Sequence, residues 1–173
     1  MPQSELPLTI TPPWSRGWRA ALLLVMAVAA ALRLAGIEWG LPTAAHPAWS
    51  FHPDEAFHLD WARRLAAGQL IAQHFQYGGT LHYTLLNACY RYATLLADHL
   101  GGVSPLANAI LFARYCACVF SLLTVALVAH IGARLFDVRT GVTAALLLAL
   151  APAHVFLAQN LRPDELSGLL ATL

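Results

Sequence analysis

Two short motifs carry paired carboxylates whose types and spacing suit chemistry. They read His52-Pro53-Asp54-Glu55 and Arg162-Pro163-Asp164-Glu165. A carboxylate can accept the proton of an attacking hydroxyl, and two carboxylate clusters that face one cavity can also hold a metal or help to handle a phosphate. The same residues are typical of a helix start, because proline suits the first helical position and acids satisfy its free N–H groups. Each motif taken alone could therefore be no more than the start of a helix.

Helices must position both motifs. The first motif opens a predicted helix that runs to about Ala67, with Gly68 as its stop signal. Phe57, Trp61 and Leu65 form the apolar stripe of this helix. The second motif opens the last apolar segment of the sequence in the same way.

The composition requires a membrane around these helices. Apolar residues make up 58% of the chain and charged residues 11%, against about 45–50% and about 25% in soluble proteins. The mean hydropathy is +0.58. A core of this size cannot bury so much apolar surface, so a bilayer must solvate part of it, which excludes a soluble enzyme. The net charge of +1 argues against nucleic acid as a partner.

Apolar runs predict about three membrane spans, over residues 20–37, 113–133 and 140–160. A fourth run begins at residue 166 and stops far short of the roughly 20 residues that a span needs. We therefore expect the chain to be a fragment of a longer protein, with a disordered cytoplasmic tail over residues 1–17. Arg33 and Glu38 stand where a signal peptide would have small residues before its cleavage site, which favours a retained first helix.

Arginines predict the side of the membrane on which each loop lies. Arg16 and Arg19 precede the first span, and Arg134 and Arg139 flank the loop between the second and third spans, so both segments should be cytoplasmic. Residues 38–112 then form one long external loop, and both carboxylate motifs face the external side. Ionisable groups at a membrane boundary are costly enough to indicate a functional site.

Residues 80–100 are predicted to form an amphipathic helix within that loop. Asn87 and Arg91 belong to a polar stripe, and Leu85 and Cys89 belong to an apolar one. A helix of this kind lies at the membrane interface and does not cross the hydrocarbon.

The three cysteines are Cys89, Cys116 and Cys118. They lie in or beside apolar segments, and Cys116 and Cys118 would point about 200° apart on a helix, a poor geometry for a disulfide or a shared metal. We interpret all three as small packing residues.

Several short motifs, taken in order, resemble a family of membrane enzymes. They are Arg33, His52-Pro53-Asp54-Glu55-Ala56, Phe75-Gln76-Tyr77-Gly78-Gly79-Thr80-Leu81-His82-Tyr83, Ala133-Arg134-Leu135-Phe136, and Leu150-Ala151-Pro152 running through Arg162-Pro163-Asp164-Glu165. In this order, residues 18–173 resemble the N-terminal part of the GT-C superfamily of membrane glycosyltransferases. Within it, the chain is most similar to the protein O-mannosyltransferases and the bacterial aminoarabinose transferases.

The resemblance implies an all-α, multi-pass protein of the plasma (inner) membrane. It implies an inverting transferase that moves a hexose or pentose-type sugar from a polyprenyl-phosphate donor to a hydroxyl of a lipid, glycan or protein acceptor. Carried over by position, Asp54 and Asp164 match the acidic residues of the family's first and second external loops, with Glu55 beside the former. The family has many more spans than this chain supplies.

Other residues are weaker candidates for further roles, each with an alternative. Arg162 and Arg33 would contact the donor phosphate, although Arg162 also suits a helix anchor and Arg33 can snorkel to the interface. His52 and Tyr77 would line the acceptor side, although Tyr77 also fits a turn. An optional divalent metal ion would be held by Asp54 and Asp164, with His52 and His58 as weaker candidate ligands. His82, His130 and His154 receive no role.

Two other classes of protein stay open. One is a small non-catalytic membrane protein or a decayed fragment, and the other is a piece of a transporter with the carboxylates as ion sites. Carboxylates at loop–helix junctions favour the transferase over the transporter. The sequence has no glycine-rich phosphate-binding loop with a lysine, so we expect no nucleotide cofactor.

Overall fold

The computed structural model describes residues 15–46, 50–69, 79–100 and 105–173, and within these ranges it is helical with no strand. The seven helices are α1 (Arg16–Leu34), α2 (Pro53–Ala66), α3 (Gly79–Leu100), α4 (Pro105–Leu135), α5 (Val138–Leu150), α6 (Pro152–Ala158) and α7 (Asp164–Thr172). Of these, α1 and α4 are long and apolar enough to cross a membrane, and the bent pair of α5 and α6 makes a third if it counts as one span. An all-helical fold with two or three helices of this kind agrees with the predicted class, a helical membrane protein.

The first helix begins earlier than the apolar run that predicted it. The Ser15 side chain caps α1 by accepting a hydrogen bond from the Trp18 N–H at 3.4 Å. Arg16 and Gly17, which we assigned to the tail, therefore lie in its first turn, and residues 1–14 lie outside the described residues. The helix ends at Leu34, and the chain then turns through Gly36 with φ +77°, short of the predicted end at residue 37.

Helix α4 is the central element, since it packs against α1, α3, α5, α6 and α7. Its 31 residues span roughly 46 Å at 1.5 Å per residue, which exceeds the hydrocarbon thickness of about 30 Å. Its first part shares a hydrophobic core with α2 and α3, and its last part shares another with α1 and α5. The predicted span 113–133 is therefore the inner portion of a longer helix.

Helices α4 and α5 form a tight antiparallel pair. Asp137 caps α5 by accepting a hydrogen bond from the Thr140 N–H at 2.7 Å. A Cβ atom added to Gly141 would lie 2.3 Å from the Ala129 carbonyl oxygen, so the two backbones approach too closely for a larger residue there. This contact fixes the turn that carries Arg134 and Arg139.

The third predicted span, 140–160, is not one continuous helix. It breaks between α5 and α6, and the two helices are bent by 64° at Pro152. Proline has no N–H and its ring clashes with the preceding turn, so it begins a new helix and does not continue the old one. The predicted span therefore corresponds to the bent pair of α5 and α6, which is broken because hydropathy continues across Pro152 while the helical backbone does not. The break turns α6 so that His154 faces α1 and α4.

Helices α2 and α3 form a small layer over the first part of α4. Helix α2 begins and ends within a residue or two of its prediction, and Gly68 follows it with φ +75°. Leu59 and Tyr83 pack against Ile110 in the shared core. Helix α3 is not among the described helices that are apolar enough to span a membrane. Its predicted interfacial position stays a prediction.

Candidate functional site

Each of the two carboxylate motifs divides its acids between the interior and the surface. Glu55 and Glu165 are buried, with 0% and 4% of their surfaces exposed. Asp54 is half-buried, and the Asp164 side chain is 43% exposed. Adjacent residues on a helix point about 100° apart. One acid of each pair can therefore face the core while the other stays accessible.

Glu55 forms a buried ion pair with Arg114 of α4. Arg114 Nε donates to Glu55 Oε1 and Arg114 Nη2 donates to Glu55 Oε2, both at 2.8 Å. Arg114 Nη1 donates to the carbonyl oxygens of Ile37 and Trp39 at 2.6 and 2.8 Å. The planar guanidinium thus binds a carboxylate with two nitrogens and the loop after α1 with the third.

Two further donors complete the environment of Glu55. The Ser50 hydroxyl donates to Oε2, and the Leu161 N–H donates to Oε1 at 3.1 Å. The carboxylate therefore joins the loop between α1 and α2, helix α4 and the segment before α7 at one buried point. We predicted a catalytic role for Glu55, but the structure surrounds it with donors and leaves no exposed surface, which is the arrangement of a positioning residue.

Sequence reasoning missed Arg114, although it left a signal. It is a single arginine among apolar residues at the edge of a span, and such a charge is costly unless it is paired. Its partners Glu55 and Ile37 lie 59 and 77 residues away in the chain, so no local pattern identifies them.

Arg33 is also fully buried and does not reach outward. Its Nε donates to Ser121 Oγ at 2.6 Å, and its Nη2 contacts His154 Nδ1 at 2.7 Å. Its Nη1 donates to the carbonyl oxygens of Ala29 and Ala149 at 3.0 and 3.2 Å. With 0% of its surface exposed, Arg33 neither snorkels nor offers a free face to a donor phosphate, unlike what we expected from the sequence.

His154 connects Arg33 to the second buried glutamate. Arginine only donates, so Nδ1 of His154 must accept, and the proton of the neutral ring is on Nε2. That nitrogen lies 3.7 Å from Glu165 Oε2, beyond a normal hydrogen bond. Glu165 Oε1 has no hydrogen-bond partner among the described residues. Burial raises the pKa of the Glu165 carboxyl to about 7, while the Ser121 hydroxyl and the Arg33 charge oppose the rise.

The accessible members of both motifs gather around His58 of α2. Burial lowers the pKa of His58; the charges of Asp54 and Asp164 oppose this, and those of Arg162 and His52 add to it. Arg162 Nε also pairs with Asp164 Oδ2 at 3.3 Å. Four predicted site residues, from the starts of α2 and α7 and the segments just before them, thus act electrostatically on one imidazole.

A second histidine lies beside His58. The His58 and His82 rings are 5.2 Å apart, centroid to centroid, and the Tyr83 ring lies 5.9 Å from His58. Burial, and then the neighbouring His58, lowers the pKa of His82 to about 4, so both rings are neutral near pH 7. The buried nitrogens His52 Nδ1, His58 Nδ1 and His82 Nε2 have no hydrogen-bond partner in the described part of the chain. Three polar atoms that are buried without a partner among the described residues mark this cluster as under-satisfied.

A small pocket between α3, α4 and α7 adjoins this cluster. Its polar lining residues are His82 and Arg162, and its apolar wall includes Leu85, Phe120 and Leu166. A polar group near Arg162 and an apolar chain along the wall would match this lining.

Two predictions about the site are not tested by these contacts. Tyr77 lies outside the described residues. In ranges 15–46, 50–69, 79–100 and 105–173, no three His, Cys, Asp or Glu side chains converge as a metal site would require. The metal ion at Asp54 and Asp164 stays a prediction.

No protein-family model matches the chain, and neither a curated protein nor a solved structure matches it.

Proposed function

We propose that the chain forms the N-terminal part of a GT-C-type membrane glycosyltransferase. It would transfer a hexose or pentose-type sugar from a polyprenyl-phosphate donor to an acceptor hydroxyl at the external face of the plasma (inner) membrane. The observation that carries the proposal is the Arg162–Asp164 pair at 3.3 Å, whose charges act together with that of Asp54 on His58. This arrangement occurs in an all-helical fold with helices apolar enough to span a membrane.

Asp54 is the candidate general base. It is half-buried in the first turn of α2, and the neighbouring Glu55 fixes that turn through Arg114. In the proposed reaction the acceptor oxygen bonds to the anomeric carbon, the bond from that carbon to the phosphate breaks, and Asp54 takes the hydroxyl proton. His52, which is half-buried and precedes Asp54 by two residues, would line the acceptor side.

Arg162 is the candidate contact for the donor phosphate. Its side chain is 31% exposed and pairs with Asp164 at 3.3 Å, so it is accessible as well as oriented. It also lines the pocket whose walls are mainly apolar, as a lipid-linked phosphate requires. An arginine there offsets the charge of the leaving phosphate. No step of this scheme is assigned to a metal ion.

The arrangement of the helix ends supports the proposed orientation, with the N-terminus in the cytoplasm. Trp18, near the start of α1, packs on the core that contains Ala133 and Val138, at the turn between α4 and α5. Arg16 and Arg19, at the start of α1, and the arginines that flank this turn thus lie at one end of the helices. Arg114 and Glu55 lie towards the other end of α4. Because cytoplasmic loops carry an excess of arginine, the end with these four arginines would be the cytoplasmic one.

The test of the proposal is Asp54→Asn in the complete gene product. Asparagine keeps the size and the helix-capping ability of aspartate but removes its basicity. We expect sugar transfer from a polyprenyl-phosphate donor to fall by roughly 10²–10⁴-fold at matched protein level, because a general base contributes about that much.

Asp60→Asn is the matched control, since Asp60 lies on the same helix in an exposed pair with Arg64 at 2.8 Å. It should transfer sugar at the normal rate. Near-normal transfer by Asp54→Asn would mean that the first motif only starts a helix. The main support for the transferase would then be lost.

A fragment of an ion-coupled transporter is the second candidate. It is favoured by one observation, the buried Glu165 with an unpartnered oxygen beside Arg33 and His154. Uptake of a solute that depends on a proton gradient and is lost in Glu165→Gln, with Asp54→Asn unaffected, would select it. If neither variant loses an activity, the result favours the non-catalytic membrane protein.

A further inference from the structure

Two cysteine thiols face each other across the contact between α3 and α4. Cys89 Sγ and Cys116 Sγ lie 3.9 Å apart, although the residues are 27 positions apart in the sequence. Cys89 is buried and Cys116 is half-buried, and both thiols are free. We interpreted these cysteines as packing residues from the sequence, which gave no reason to pair them.

The surroundings of the two thiols leave room for them to approach. A disulfide needs a sulfur–sulfur distance of about 2.05 Å, so the sulfurs must close by roughly 1.9 Å. Cys89 and Cys116 both line the pocket beside His82, so open space adjoins both residues. Rotation of the two side chains about χ1 can shorten the distance between the sulfurs.

We propose that Cys89 and Cys116 form a redox-active dithiol that closes to a disulfide and tethers α3 to α4. The oxidant is a small-molecule disulfide that reacts at the half-buried Cys116. The two thiols lose two protons and two electrons, one S–S bond forms in the protein, and the oxidant is reduced to two thiols. Atoms and electrons balance, and neither a metal nor a cofactor is needed.

The exposure of the two cysteines fixes the order of the steps. Cys116 is the more accessible, so its thiolate attacks the small disulfide, releases the first thiol and holds the other half as a mixed disulfide. The buried Cys89 thiolate then attacks the Cys116 sulfur and releases the second thiol. Both steps are thiol–disulfide exchange, and the reverse sequence reduces the tether.

Cys118 provides an internal control only two residues away. Its Sγ points away from the pair, towards the carbonyl oxygens of Ala158 at 3.3 Å and Arg33 at 3.7 Å. Serine at this position keeps a hydroxyl donor for these carbonyl groups, so Cys118→Ser should fold normally and leave the dithiol as the only pair.

The tether would act on the wall of the pocket at the candidate site. His82 and Cys89 lie seven residues apart on α3, hence on nearly the same face of the helix. A bond from Cys89 to α4 would hold this face against the pocket. The proposal concerns the chemistry of the two thiols and does not depend on the glycosyltransferase function.

The experiment uses the full chain with Cys118→Ser in lipid nanodiscs, treated with dithiodipyridine, a small aromatic disulfide. We expect two molecules of thiopyridone to be released per chain and the intact mass to fall by two hydrogen atoms. Proteolysis should then yield a reducible peptide pair containing Cys89 and Cys116. Adding Cys89→Ser or Cys116→Ser should stop the reaction at one thiopyridone, with a pyridylthio group retained on the protein as a mixed disulfide.

Two results would overturn the proposal. One is release of two thiopyridones with two pyridylthio groups retained, which means that the thiols react independently. The other is no reaction in the folded protein while both thiols react after denaturation, which means that the contact is closed to oxidants.

Discussion

The two buried glutamates of the Pro-Asp-Glu motifs have contrasting surroundings. Glu55 meets a guanidinium through two bonds of 2.8 Å and accepts two more hydrogen bonds, from Ser50 and Leu161. Glu165 approaches His154 at only 3.7 Å, and one of its oxygens has no partner among the described residues. The same three amino acids thus give a saturated ion pair in one place and an under-satisfied acid in the other.

The difference originates in the arginines. Arg114 directs two of its nitrogens at Glu55 and uses the third for backbone oxygens. Arg33 directs its nitrogens at Ser121, at backbone oxygens and at His154, so none donates to Glu165. A buried carboxylate is stabilised by the bonds that reach it, and a nearby positive charge alone does not replace them. Glu55 is therefore suited to hold elements together, whereas Glu165 is suited to keep a proton.

The largest expected effect comes from removing the guanidinium of the saturated pair. Arg114→Leu would leave Glu55 buried without its main partner, so we expect the free energy of unfolding to fall by about 3–5 kcal/mol. The measurement is a titration with sodium dodecyl sulfate in mixed micelles, followed by circular dichroism. Arg64→Gln, which breaks an exposed pair, should cost about 1 kcal/mol or less.

A double variant separates charge from packing at this position. Glu55→Met combined with Arg114→Leu removes both charges, and part of the lost stability should return because no unpaired charge remains. If Arg114→Leu costs no more than the surface control, the ion pair is not the point that joins these elements, and the contrast with Glu165 disappears.

The next effect concerns the pH dependence that the under-satisfied acid should produce. Burial raises the pKa of Glu165 from 4.5 to about 7. Between these pH values the folded protein holds a proton that the unfolded chain has released, so stability falls as pH rises through this window. The loss amounts to as much as ~3 kcal/mol and levels off above pH 7.

Glu165→Gln should remove most of this slope, and unfolding of both proteins at several pH values measures it. The difference between the two profiles cancels other groups, such as His82, whose lowered pKa of about 4 makes stability rise with pH from about 4 to 6.5. Parallel profiles would show that Glu165 is ionised in the folded protein and that its environment is as favourable as that of Glu55.

Residues that start or stop a helix predicted the ends of α2 well, whereas hydropathy did not predict the break between α5 and α6. Proline, two acids and Gly68 delimit α2, and all of these signals act within a few residues. Pro152 is a helix-breaking residue in the sequence, but the apolar run continues on both sides of it. A prediction from hydropathy alone therefore does not show the break. The missing N–H of proline and the hydropathy of its neighbours are separate signals, and the missing N–H determined where the helix breaks.

The candidate site was predictable only in its outline. The motifs identified Asp54 and Asp164 as acids at helix starts, and the structure brings them near His58. Which acid of each pair turns inward depends on the face that packs on α4, and that is a tertiary property. Ser121 and His154 became important because α1, α4 and α6 meet around Arg33, which no spacing in the sequence shows.

The smallest expected effect on stability comes from the acid beside Glu165. Asp164 is 43% exposed and pairs with Arg162, which is 31% exposed, at 3.3 Å. Solvent screens such a pair, so Asp164→Asn should change the free energy of unfolding by about 1 kcal/mol or less and leave the slope between pH 4.5 and 7 in place. The same detergent titration measures both quantities. If Asp164→Asn instead flattened the slope as Glu165→Gln should, the raised proton affinity would belong to both acids together, and the division into one buried and one accessible acid would not hold in this motif.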